Sequence, residues 1–163
     1  MRLPLVTPAG KVECAMPKSR YRSAQFGGSP DDVEAAFYEA LHSGDLEQMM
    51  ACWADEDDIV CVLPGGPRLV GALAIRAAFE VMFSAGTVRA WPERVRRIEG
   101  MGAAVHNVLE RVDLMTADGI QRIWVVATNV YLKTAPGWRL AVHHASPGRA
   151  EAEQLTQPAQ LLH

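Results

Sequence analysis

Residues 104–133, AVHNVLERVDLMTADGIQRIWVVATNVYLK, decide the fold. The first half alternates. His106, Val108, Glu110, Val112 and Leu114 fall on one face of a strand, and Asn107, Leu109, Arg111, Asp113 and Met115 on the other, which is the more polar. Ala117-Asp118-Gly119 then suits a hairpin turn. The second half is apolar on both faces. Ile123, Val125, Ala127, Asn129 and Tyr131 line one, and Trp124, Val126, Thr128, Val130 and Leu132 the other. A strand buried on both sides needs cover beyond its own helices, and in a short chain a second subunit is the simplest cover. The pattern therefore predicts a homodimer joined through the outer sheet face.

The same alternation extends on either side. Residues 88–98 and 138–145 also read as strands, separated by turns at Gly100-Met101-Gly102 and Ala135-Pro136-Gly137. Before Gly86 the period changes from two to 3.6. Ser29-Pro30-Asp31-Asp32 is a helix start, with a hydroxyl cap, proline in the first turn and acids that suit the helix dipole. Val33, Phe37, Ala40 and Leu41 follow at helical spacing, and Gly44 stops the helix. Asp45 caps a second helix with Gln48 three residues on, as in a capping box, and Leu46, Met49, Met50 and Trp53 form its apolar stripe. Residues 72–83 predict a third helix that buries Ile75, Phe79, Met82 and Phe83. Between the second and third helices, residues 59–63 read as a short strand closed by Pro64-Gly65-Gly66-Pro67. Helices first and strands later predict an α+β fold with helices on one face of an antiparallel sheet.

The chain has 163 residues, 49% hydrophobic and 21% charged, which suits one soluble domain and excludes a disordered chain. Net charge is −3, which argues against a dedicated nucleic-acid binder. No apolar run approaches the ~18–20 residues that span a bilayer. Residues 1–28 hold Arg2, Lys11, Lys18, Arg20 and Arg22 against Glu13, a net +4 that leaves −7 for the remainder. They read as an N-terminal arm, residues 29–147 as the domain, and residues 148–163 as a C-terminal tail. Cys14, Cys52 and Cys61 form no CxxC pair and read as free thiols of a reducing compartment; with no secretory signature, the expected location is cytoplasmic.

Glu110 is the first candidate for chemistry, because it sits among apolar residues on the face that meets the helices. A carboxyl there either pairs with a basic residue or has its pKa raised by desolvation, which suits general acid/base work or hydrogen-bonding to a ligand. In the closing strand, alternation puts Trp138, Leu140, Val142, His144 and Ser146 on one face, and Arg139, Ala141, His143 and Ala145 on the other. His144 shares its face with large apolar side chains and is expected inside, as a satisfied core histidine or as a ligand contact. His143 and His144 point in opposite directions, which weakens a joint metal site. The run Asp55-Glu56-Asp57-Asp58 lacks the spacing of a calcium loop and reads as a solvated turn. No nucleophile elbow, phosphate loop, dinucleotide fingerprint or HExxH pair is present. No metal or cofactor is expected.

Several of these features occur together in one family. The helix–Gly44-Asp45–helix turn, Trp53 with its acidic loop, the Val62-Leu63-Pro64 strand end, Val70-Gly71, the Ala74-Ile75-Arg76 helix and the closing Trp138…His144-Ala145-Ser146 resemble SnoaL-like proteins of the nuclear transport factor 2-like superfamily. The resemblance spans about residues 29–147. It implies a strongly bent antiparallel sheet wrapped around three N-terminal helices, a cone open to a pocket at one end, and dimers through the outer sheet faces. The superfamily includes ketosteroid isomerases, polyketide cyclases, limonene epoxide hydrolase-like enzymes and the association domain of calmodulin-dependent kinase. Set against that association domain, Glu110, Asn129 and His144 stand at pocket-facing positions, and Glu110 and Asn129 replace arginines that would select small anions. The catalytic patterns of the isomerases and epoxide hydrolases have no clear counterpart here. Three functions stay open: binding of a small, largely apolar ligand bearing one or two oxygens, with Glu110, Asn129, His144, Trp53 and Tyr131 as contacts; an isomerase, cyclase or hydrolase using Glu110 with His144; and an association module without catalysis.

Overall fold

The computed structural model describes residues 27–149, so most of the predicted arm, most of the predicted tail and Cys14 lie outside the described residues. Three helices come first: α1 (Pro30–Ser43), α2 (Leu46–Ala51) and α3 (Ala72–Ala85). Ser29 accepts a hydrogen bond from the Asp32 backbone N–H at 3.1 Å and so caps α1. Gly44 closes it in the left-handed region at φ 68°, with its N–H on Ala40 O. The Asp45 cap also forms, at 2.9 Å from the Gln48 N–H. The Gln48 side chain does not complete a capping box; it donates instead to Ala36 O on α1.

Six strands form one sheet: β1 (Val60–Val62), β2 (Arg68–Val70), β3 (Arg89–Glu99), β4 (Ala103–Thr116), β5 (Gly119–Thr134) and β6 (Gly137–Pro147). Their order is β2-β1-β6-β5-β4-β3. All neighbours are antiparallel except β1 and β6, which run parallel. Strand β2, three residues long, was not foreseen; it pairs with β1 across the Pro64–Pro67 turn. The architecture is the α+β fold expected, a curved sheet closing on the helices.

The core lies between α1, α3 and the inner sheet face. Val33, Phe37 and Leu41 of α1 and Ile75 and Phe79 of α3 meet Val108, Val112, Val125 and Ala127. The rings of Phe37 and Phe79 pack edge to face at 6.3 Å. Burying side chains of this size stabilises the fold by about 1.5–3 kcal/mol each. The N–H of Val88 bonds Leu41 O at 3.0 Å, tying the end of α1 to the start of β3. Similarly, Leu140 and Cys52 bond through Leu140 N–H and Cys52 O, and Ala54 N–H bonds Leu140 O, which docks the exit of α2 on β6. Gly137 has φ 124°, and a Cβ there would come within 2.6 Å of Gly27 O, so this hairpin end needs glycine on two counts.

One irregularity positions the site. Val130 pairs with Val142 while Tyr131 pairs with Leu140, which leaves Ala141 as an extra residue in β6. This β-bulge resets the alternation of the strand. Leu140 is inside as expected, but beyond the bulge His143 and Ala145 are buried, whereas His144 and Ser146 are exposed. The expected inward placement of Val142, His144 and Ser146 is therefore corrected: His143 takes the inner position.

Candidate functional site

At one end of the sheet the core opens into a cavity of about 240 Å³. Phe37 and Leu41 of α1, Met82 of α3, Ala90 of β3, Val112 of β4, Val125 of β5 and Ala145 of β6 are among its walls. Leu63 and Pro64 from the β1–β2 turn, with Leu114 and Ile123 near the β4–β5 turn, also line it. Among the described residues that line it, only two carry polar side-chain groups, Glu110 and His143.

Glu110 reaches the cavity because alternation in β4 turns its face inward, as the sequence pattern predicts. It is 6% exposed, and the Tyr38 hydroxyl of α1 donates to its Oε1 at 2.6 Å. Burial raises the carboxyl from its ordinary 4.5 to about 7; the bond from Tyr38 pulls against that shift and the negative field of Glu34 adds to it. Tyr38 in turn is held far above the ordinary phenol range by burial and by Glu110.

His143 lies against the ring of Phe37, with centroids 5.1 Å apart. Its Nδ1 is 2.7 Å from Asn129 Oδ1. An amide oxygen only accepts, so Nδ1 carries the imidazole proton and Nε2 is left with a lone pair. Full burial, helped by the neighbouring His144, lowers the imidazole from 6.5 to about 4 and keeps it neutral. Asn129 does not line the cavity itself; it holds His143 and hydrogen-bonds Tyr131 through its other end.

Behind this wall lies a second buried group. His106 Nδ1 sits 2.8 Å from Glu34 Oε2, and the Tyr131 hydroxyl donates to the same oxygen at 3.4 Å. Tyr131 is also raised, first by burial and then by Glu34. Asp31, Glu34 and His106 bring potential ligand atoms within 4.8 Å of one another. Those atoms are engaged already, Asp31 with Arg97 at 2.7 Å and Glu34 with His106 and Tyr131. The indole N–H of Trp53 and His106 Nε2 are buried without a hydrogen-bond partner. Cys52 and Cys61 are free, buried thiols pushed up to about 12 by burial, and neither suits a nucleophile.

Of the five side chains singled out in the sequence, Glu110 alone lines the cavity. Asn129 and Tyr131 stand one layer behind, and Trp53 is buried at the exit of α2, in a bridge to Leu140. His144 is outside, in a separate hollow with Val126, Thr128, Val142 and Ser146. Sequence reasoning missed His143, Tyr38 and Glu34. Tyr38 and Glu34 are spaced i and i+4 beside the α1 apolar stripe, a signal for one shared flank. The outer face of β4 carries Arg111, stacked over Trp91 at 4.4 Å and bonded to Glu93 and Asp113.

A search of curated proteins finds no match. Among solved structures, a protein of Thiobacillus denitrificans, provisionally described as a calcium/calmodulin-dependent protein kinase type II association domain, is 34% identical, with 74% of this chain and 96% of that one covered and a TM-score of 0.67. A Streptomyces avermitilis protein, provisionally described as a dehydratase of the NTF2-like family, is 29% identical over 72% of this chain and 92% of its own, with a TM-score of 0.65. The S. rosetta CaMKII hub shares the fold at 20% identity, 72% and 92% coverage and a TM-score of 0.58. Solved neighbours at 16% and 18% identity share this chain's cystatin-like fold; the profile of the SnoaL-like domain matches residues 31–150, and the chain belongs to that family.

Proposed function

We propose that this protein binds a small, largely apolar molecule in the cavity, with one polar end set between Glu110 and His143. The observation that carries the reading is the lining itself: about 240 Å³ of space walled by aliphatic and aromatic side chains, interrupted by one carboxyl and one imidazole. Sites that bind small molecules share this composition, apolar walls with a few placed polar groups. Asn129, Tyr131 and Trp53 support the wall and do not contact the ligand. Native mass spectrometry of the purified chain tests this. A retained small molecule, lost on substituting Ala145→Trp to fill the cavity, is the expected result. An empty wild-type protein that no apolar fragment stabilises against heat overturns it.

A catalytic reading has one observation in its favour. A carboxyl near pH 7 is suited to exchange a proton with a bound substrate. Its partner would be His143, which lines the same cavity, in place of the expected His144. A homodimer through the outer face of β4, β5 and β6 accompanies both readings, because Val126, Val130 and Val142 are left half-buried there. The relatives described as association domain and hub support self-association. Among the described residues no helix is long and apolar enough to cross a membrane.

A further inference from the structure

The hydrogen bonds around the cavity all have a direction, and the directions agree. Tyr38 donates its hydroxyl proton to Glu110. His143 donates its one proton to Asn129, Asn129 bonds on to Tyr131, and Tyr131 donates to Glu34. Every polar hydrogen is thus aimed into the wall. Glu110 and His143 both line the cavity, and their atoms left without a hydrogen-bond partner among the described residues are Glu110 Oε2 and His143 Nε2. Both are acceptors once Glu110 is ionised, and none of the described residues that line the cavity is Lys or Arg.

We propose that the cavity recognises the ammonium head of a small lipophilic primary amine, held by Glu110 Oε2 and His143 Nε2 with its hydrocarbon body against Phe37, Met82 and Val112. The proposal rests on the cavity reading above and adds the head group. An ammonium brings a donor for each of the two acceptors and no acceptor of its own, which suits a wall that presents acceptors. Its charge is met by the carboxylate, and the N–H bonds to that carboxylate are of the strong, charge-assisted kind. An alcohol has one donor for two acceptors. A carboxylate ligand brings no donor, and its charge meets those of Glu110 and Glu34. Among the described residues that line the cavity there is no arginine to hold an anion.

The titratable groups that face Glu110 are Tyr38 and Glu34 of α1 and, across the cavity, His143 of β6. From β3, β5 and α3 the side chains that line the cavity with it are apolar, Ala90, Val125 and Met82. Binding an ammonium therefore drives the proton off Glu110. Since burial places that carboxyl near 7, affinity for an amine weakens about tenfold for each pH unit below 7 and levels off above pH 8.

Isothermal titration of the full chain compares benzylamine, benzyl alcohol and benzoate at pH 8 and pH 5.5. Benzylamine is expected to bind at least tenfold more tightly than benzyl alcohol at pH 8, to lose most of that advantage at pH 5.5, and benzoate to show no binding. Glu110→Gln should abolish the preference for the amine over benzyl alcohol. Should that variant fail to fold, the wild-type comparison decides alone. Benzyl alcohol binding as tightly as benzylamine overturns the ammonium assignment while the cavity reading stands. Absence of binding by all three probes overturns both.

Discussion

Replacing Glu110 with glutamine should make the protein more stable at pH 8 and leave it nearly unchanged at pH 4.5. Glutamine keeps an oxygen to accept the Tyr38 hydroxyl, so the bond at 2.6 Å is retained while the charge is lost. The folded carboxyl titrates near 7 and the unfolded one near 4.5. Between these values the folded state holds more of the proton than the unfolded state, so stability falls as pH rises through the window and is level above it. A difference of that size corresponds to about 3 kcal/mol at full ionisation, an upper figure for a carboxyl that is 6% exposed. His143 acts in the opposite sense: its lowered pKa means that stability falls as pH drops from 6.5 toward 4. The raw pH profile of the wild type therefore mixes two slopes, and the difference between wild type and Glu110→Gln isolates one. Urea unfolding at pH 4.5, 5.5, 6.5, 7.5 and 8.5 measures it. The difference should grow with pH and saturate near pH 8. A difference that stays flat would show that Glu110 is ionised normally in the folded protein, and would remove the electrostatic basis of the site.

Two further expectations concern the two faces of the sheet. His143→Ala should destabilise the fold by about 2 kcal/mol, since it opens a void beside Phe37 and orphans Asn129 Oδ1, whereas His144→Ala should stay within about 0.5 kcal/mol in the same denaturation assay. Equal effects would deny the bulge. On the outer face, Val126→Asp should convert a dimer to a monomer by light scattering at micromolar concentration, with circular dichroism unchanged; a wild type that is already monomeric refutes that interface.

Much of the fold was legible because it rests on local chemistry. The Ser29 cap and the Gly44 stop bound α1 within a residue of the expected limits, and the period-two pattern of β4 assigned Glu110 to the correct face. Strand β2 was not legible: Arg68, Leu69 and Val70 are too few to show a period, and they become a strand only by pairing with β1. The site was half legible. Glu110 announced itself as an acid among apolar residues. His143 did not, because the phase of β6 depends on a bulge, and Leu140-Ala141-Val142, apolar without a break, erases the alternation where the bulge falls. Tyr38 and Glu34 are hidden for another reason. Helix α1 is wrapped by the sheet on more than one side, so its buried arc is wider than the stripe of Val33, Phe37 and Leu41, and polar side chains beside that stripe are enclosed with it.

The extra residue at Ala141 acts as a frame-setter for everything downstream in β6. Deleting it would straighten the strand and still leave His143 inside, because the residues after Leu140 would resume the same alternation one position earlier. Smoothing the strand with all its residues kept would instead bring His144 inward and turn His143 out. In that frame Val142 would stand opposite Asn129, where His143 is now, and His144 would take the place of Ala145 opposite Ala127. The extra residue is thus what brings an imidazole, rather than the side chain of Val142, to the position opposite Asn129.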